Sequence, residues 1–267
     1  MRIGLIQTDP AFGDVRANLA TMTAVIDREE ADLWVLPELF ATGYQFASAE
    51  EIAALSEPVP GGITTRTLEA LTARSRCHIV GGLPEASEGR FYNSAVLVGP
   101  DGLLSCYRKI HLFGDEKRWF SPGDRPFSVT DIGVARVGMM ICFDHLFPES
   151  ARTLALCGAD VIAHPANLVM PVYAQLTMRA RALENGVFTV TANRIGLENR
   201  TGETLRYTGN SQIVSPVGEI LARSPADKID VRIVEVEPAA ARDKALNPNN
   251  DRLADRRPAF YTGWAEE

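Results

Sequence analysis

Short apolar runs alternate with segments of helical spacing along the first third of this chain, and then three such runs follow one another with no helix between them. Ile3–Gln7 and Leu33–Leu36 read as strands. Between them, Asp14 caps a helix whose Val15, Leu19, Met22 and Ile26 share one face. Ile63–Arg76 has helical spacing again, and His78–Gly82, Ser94–Val98 and Leu103–Tyr107 then read as consecutive strands. The last two are joined by a tight turn at Asp101-Gly102. Strands separated by helices suit a parallel sheet, whereas strands in direct succession suit antiparallel pairing. A purely doubly wound sheet therefore fits poorly, and a layered α/β sandwich with mixed sheets fits better.

In the second half, Ile132–Ile141 alternates and becomes wholly apolar toward Cys142, predicting one strand. Glu149–Leu156 and Val172–Glu184 are predicted helices. Val161–Ile162, Phe188–Ala192, Gln212–Val214 and Val231–Val236 are predicted strands. Neither a low-complexity linker nor a regular repeat divides the chain, so residues 1–267 are expected to form a single domain. Its last stretch, 240–267, carries Asn247-Pro248-Asn249-Asn250 together with Phe260, Tyr261 and Trp264. Such aromatics predict a packing segment laid over this subunit or another.

Lys and Arg total 27 against 34 acidic residues, a net charge of −7, and no basic block occurs. Nucleic acid and anionic membranes are accordingly poor partners. The opening MRIGLIQTDP has too brief an apolar run for a signal peptide or a membrane span, so a cytoplasmic location is expected. Cys77, Cys106, Cys142 and Cys157 form no CxxC pair, and the four histidines lack metal-site spacing. With no HExxH, GxxxxGK[ST] or GxGxxG pattern either, neither a metal nor a cofactor is expected.

Three positions attract attention on chemical grounds. Cys142 follows the most apolar strand and precedes an expected change of direction, which suits a nucleophile on a rigid element as well as a buried core cysteine. Glu38, set in LPELFATGY after a strand stopped by Pro37, is either a carboxylate tuned as a base by apolar surroundings or an acid held by an arginine or a helix terminus. Lys109, between an apolar strand and Ile110-His111-Leu112-Phe113, either faces an anionic intermediate or snorkels to water.

The segments around these residues resemble the three motifs of the nitrilase superfamily, the carbon-nitrogen hydrolases: VLPELFATGY at Glu38, YRKIHLF at Lys109 and GMMICFDHLFPESAR at Cys142. NSAVLVGP, HPANLVMP, MRARALENGVF and DRRPAFY extend the resemblance over nearly the whole chain. It implies a four-layer α-β-β-α sandwich with two mixed sheets, and a homodimer or higher homo-oligomer formed through helical faces. It also implies a further glutamate beside the triad, Glu116, with Asp115 as its neighbouring alternative. Carried over, Cys142 attacks the substrate, Glu38 moves protons, and Lys109 with the Phe143 backbone N–H stabilises the oxyanion. Tyr44, His145 and Asn167 resemble residues lining the substrate pocket. The activity implied is hydrolysis of small aliphatic carboxamides. Nitrile hydrolysis and N-carbamoyl amine or acid hydrolysis are alternatives, and a noncatalytic interaction protein is the remote one.

Overall fold

The computed structural model of the protein describes residues 1–261. The first half runs β1 (Arg2–Gln7), α1 (Val15–Ile26), β2 (Leu33–Val35), α2 (Ala49–Leu55), α3 (Ile63–Ser75), β3 (His78–Ser87), β4 (Arg90–Gly99), β5 (Gly102–Arg108) and the single turn α4 (Glu116–Trp119). Then come β6 (Val129–Asp131), β7 (Arg136–Met139), a 3-10 turn at Cys142–Leu146, α5 (Pro148–Leu156), β8 (Val161–Pro165), α6 (Tyr173–Asn185) and β9 (Phe188–Ala192). The chain continues through β10 (Leu197–Asn199), β11 (Thr204–Arg206), β12 (Gln212–Val214), β13 (Ile220–Arg223), β14 (Asp230–Glu235), β15 (Ala245–Asn247) and β16 (Asn250–Asp251).

Two six-stranded sheets result, ordered β14-β1-β2-β3-β4-β5 and β13-β12-β9-β8-β7-β6. Each has a parallel centre where helices cross over, β1/β2/β3 and β7/β8/β9, flanked by antiparallel pairs where strands follow directly. The strand period of two sorts the side chains between layers. Ile3, Leu5, Leu33 and Val35 point between the sheets and pack with Val137, Val161 and Val190 of the other sheet. Their neighbours Ile6 and Trp34 face outward to meet Leu19 and Met22 of α1 and Leu68 and Leu71 of α3. On the opposite outer face, Ile162 meets Leu154 of α5 and Met178 of α6. The fold is thus the four-layer α-β-β-α sandwich with two mixed sheets.

Two local expectations are corrected. Ile132–Ile141 is not one strand: β6 ends at Asp131, whose side chain accepts the Gly133 N–H at 2.7 Å in a turn with Gly133 at φ 85°, and β7 begins at Arg136. The first four residues of that run form the turn of a short hairpin whose apolar Ile132 and Val134 continue the period of β7. Conversely, β3 continues past Gly82 through Pro84 to Ser87, paired throughout with β4. Proline is tolerated because β2 pairs only with His78–Val80, and the bridge from Glu57 beyond it uses the Pro84 carbonyl and the Ala86 N–H, so the missing Pro84 N–H costs no ladder bond.

The chain after residue 240 docks through Lys244, whose ammonium donates to the carbonyls of Asn185 and Gly186 at the end of α6 (3.0 and 2.7 Å). Phe260 and Tyr261 are exposed, and Trp264 lies outside the described residues.

Candidate active site

Glu38 sits just beyond β2, where the chain turns sharply with Leu39 at φ 50°. The turn is drawn against β3: Gly82 accepts from Phe40 N at 3.2 Å, and a Cβ on Gly82 would lie 2.6 Å from Glu38 Cα. Only glycine permits that approach. Lys109 follows β5, its N–H bonded to the Asn93 carbonyl of β4 at 2.8 Å. Cys142 begins the 3-10 turn after β7 at φ 42°, and Asp144 holds this left-handed bend by accepting from Ile141 N (2.8 Å), Tyr107 OH (2.7 Å) and the His111 ring (2.7 Å). The first sheet thus supplies the carboxylate and the ammonium, and the second supplies the thiol.

The side chains converge. Lys109 Nζ lies 2.8 Å from Glu38 Oε1 and 2.7 Å from Glu116 Oε1, and all three are buried. Glu116, rather than the exposed Asp115, is the second carboxylate at this point, and Tyr44 donates its hydroxyl to it at 2.6 Å. Asn93 Nδ2 donates to Glu38 Oε1 at 2.6 Å, while Glu38 Oε2 is buried with no hydrogen-bond partner among the described residues. Asn167 ties the two sheets together. Its side chain donates to the Glu38 carbonyl at 2.9 Å, and its own carbonyl lies 3.8 Å from Cys142 Sγ.

Charge states follow from this packing. Burial would push the Lys109 ammonium down, yet Glu116 and Glu38 beside it hold it above the ordinary lysine value, so it stays charged. Burial raises the Glu116 carboxyl, against the pull of Lys109. Burial and then the Glu38 charge push the Cys142 thiol well above its ordinary value, Lys109 opposing. The resting sulfur is consequently a thiol, and it reacts only when a base takes its proton. Labelling of Cys142 by methyl methanethiolsulfonate, a small neutral reagent specific for thiolate, is expected to be slow at pH 7 and to accelerate as pH rises beyond 9. A rate already at its plateau at pH 7 would show a resting thiolate instead.

Cys142, Phe143, His145 and Asn167 line a cavity of about 20 Å³, room for about one water molecule. Phe113 and Val169 join it to a chamber of about 290 Å³ that also meets Tyr44, Glu116 and Trp119. His145 is buried rather than at the surface, bonded to Thr177 Oγ1 at 2.7 Å, and burial pushes its imidazole down to about 3, so it is neutral. A larger cleft of about 520 Å³ between residues 26–32 and 74–77 contains none of these side chains and is lined by surface groups such as the Arg74–Asp27 pair. Among the described residues no three His, Cys, Asp or Glu side chains group as a metal site.

The carbon-nitrogen hydrolase family signature matches residues 2–245. The chain belongs to the carbon-nitrogen hydrolase family. This hydrolase is 45% identical over 264 residues to a nitrilase of Pyrococcus abyssi, covering 98% of this chain and 99% of the relative. It is 37% identical to an (R)-stereoselective amidase of Pseudomonas sp., covering 96% and 92% of the two chains. Among solved structures it resembles the amidase from Nesterenkonia sp. AN1, with a TM-score of 0.80, 27% identity and 99% of both chains covered. In that structure, of a glutamate-to-glutamine mutant, acrylamide has undergone Michael addition at the active site cysteine.

Sequence reasoning missed three contributors to the hydrolase's site. Asn93, inside NSAVLVGP, bonds Glu38 directly. Glu198 accepts the N–H groups of Tyr44 (3.2 Å) and Gln45 (2.7 Å), fixing the loop that carries Tyr44 from 154 residues away. His164 bonds the Cys142 carbonyl, and its ring lies 5.9 Å from that of His145 although 19 residues separate them in the chain. Asn93 and His164 sat in segments that already carried a signal, NSAVLVGP and HPANLVMP, whereas Glu198 did not.

Proposed function

We propose that the protein hydrolyses small carboxamides to carboxylate and ammonia through a thioester on Cys142. Support comes above all from the Lys109 ammonium, held between Glu38 and Glu116 and buried beside the cavity that Cys142 lines. Cys142 Sγ adds to the amide carbon as Glu38 takes the thiol proton. The carbonyl π pair moves onto oxygen, which faces Lys109 and the Phe143 N–H. Glu38 passes its proton to nitrogen, the C–N bond breaks, and ammonia leaves a thioester. Water then attacks as Glu38 accepts its proton, the C–S bond breaks, and the sulfur recovers that proton. Glu116 and Tyr44 hold Lys109 and border the chamber for the acyl group, with His145 and Asn167 on the side of the sulfur.

The chamber bears on substrate class. Its described lining carries Asp115, Glu116 and Glu203 and no Lys or Arg. An acyl group ending in carboxylate would find no cationic partner there, which favours uncharged acyl groups over N-carbamoyl acids. The nitrilase relative supports nitrile hydrolysis as a second reading, in which the same thiol adds to the nitrile carbon and a thioimidate precedes the thioester.

Ammonia release from pentanamide, pentanenitrile and N-carbamoyl-β-alanine decides between them, with amide the preferred substrate by at least about tenfold in kcat/KM. A preference for nitrile or for the N-carbamoyl acid would overturn that ranking.

Assembly as a homodimer belongs to the same proposal. Val172, Tyr173, Leu176 and Leu183 line up an exposed apolar face at α6, with Val217 also exposed. Among the described residues no helix is long and apolar enough to cross a membrane, and a cytoplasmic location is proposed with it.

A further inference from the structure

We propose that His164 is a positioning residue that aims the oxyanion-binding N–H of Phe143, an inference that rests on Cys142 as the nucleophile and Phe143 as an oxyanion donor. His164 lies on β8, wholly buried behind the nucleophile turn. Its Nε2 is 2.9 Å from the Cys142 carbonyl oxygen and its Nδ1 is 3.1 Å from Thr191 Oγ1 on β9. A carbonyl oxygen only accepts, so Nε2 carries the proton. Burial lowers the imidazole's pKa and keeps the ring neutral, so Nδ1 offers its lone pair to the Thr191 hydroxyl. The ring is thereby held in one tautomer by two partners, one of them, Thr191, directly opposite it on the neighbouring parallel strand.

The bond acts on the reaction through the geometry of one peptide. The carbonyl of Cys142 and the N–H of Phe143 belong to the same planar trans unit, from whose opposite edges they project. Anchoring the oxygen from behind turns the N–H to the other side, and Cys142 and Phe143 both line the small cavity. Hydrogen bonding to the carbonyl also draws electron density through the amide and makes the N–H a stronger donor. This restraint acts where the backbone needs one, because Cys142 holds φ 42°, a conformation that L side chains adopt rarely. The sulfur has its own contact, the Asn167 carbonyl at 3.8 Å, so the thiol and the N–H are positioned by different groups.

The test compares His164→Leu, which removes the donor, with His164→Gln, whose amide N–H can reach the same carbonyl. For His164→Leu, kcat on the best amide is expected to fall about 10–100-fold with KM nearly unchanged. Binding of a short aldehyde reads the oxyanion site directly. The thiol adds across its C=O, an S–C bond forms, and the oxygen that takes the thiol proton occupies the oxyanion position. Aldehyde affinity should drop by the same factor as kcat, while the rate of Cys142 modification by methyl methanethiolsulfonate and the Tm stay close to wild type. His164→Gln should recover much of both losses.

A kcat loss with unchanged aldehyde affinity would overturn the role, as would a thiol-modification rate that falls in step with kcat. An aldehyde that fails to engage Cys142 in the wild-type protein would instead overturn the nucleophile assignment, and the role of His164 with it.

Discussion

Cys142→Ser is expected to reduce ammonia release from the best amide by on the order of 10⁴-fold or more while leaving Tm and assembly near wild type. The exchange is small in volume at a buried position, so packing changes little. The chemistry changes greatly. Burial already lifts the thiol well above its ordinary ionisation, and an alcohol in the same pocket starts several units higher still. The acceptor available is a carboxylate, a weak base, which suffices for a thiol whose proton leaves as the S–C bond forms but not for a hydroxyl. Steady-state ammonia release alongside thermal melting checks this, and a variant within tenfold of wild type would remove Cys142 from the chemistry.

Glu38→Gln should cost about 10²–10⁴-fold on amides, the range for a positioned acid–base group. The two carboxylate oxygens of Glu38 differ in occupation. Oε1 accepts from Lys109 and Asn93, whereas Oε2, buried and without a partner among the described residues, is the atom left to take a proton. Glutamine can keep its oxygen at the first position, but it puts an NH₂ donor at the second. Proton transfer then has no acceptor although the side chain retains its shape. An activated ester separates the two proton transfers, because its phenolate leaves without protonation whereas the thiol must still give up its own. The variant's acylation burst with a p-nitrophenyl ester should therefore fall, but by less than its amide turnover. A burst as fast as wild type would remove Glu38 as the thiol's base.

Much of this was legible along the chain. Strands, crossover helices and the succession His78–Tyr107 betray mixed sheets, since each is a local pattern of apolar spacing. Glu38, Lys109 and Cys142 stand in motifs long enough to be recognised. What escaped is tertiary. Pro84 reads as a breaker until its neighbour strand is known to stop short, and a turn with apolar residues in step with the strand after it reads as part of that strand. Glu198 and His164 act on residues in distant segments, and no local pattern distinguishes a histidine that grips a backbone carbonyl from one that fills space. The sequence spacing of His145 and His164 likewise concealed that their rings would meet at 5.9 Å.

The groups proposed to carry the chemistry lie on both sides of a seam. Glu38 and Lys109 ride on one sheet and Cys142 and Asn167 on the other; a few hydrogen bonds cross near the site, from Asn167 to the Glu38 carbonyl and from Tyr107 to Asp144, and elsewhere the layers are held by apolar contact. Contacts of that kind resist separation better than they resist sliding. A shear of an ångström or so between the layers would leave both sheets, their helices and nearly all buried area intact, yet it would pull the acceptor away from the sulfur. Turnover in such a protein is a gauge of alignment between two slabs, and heat should silence it at temperatures where the secondary structure still looks whole.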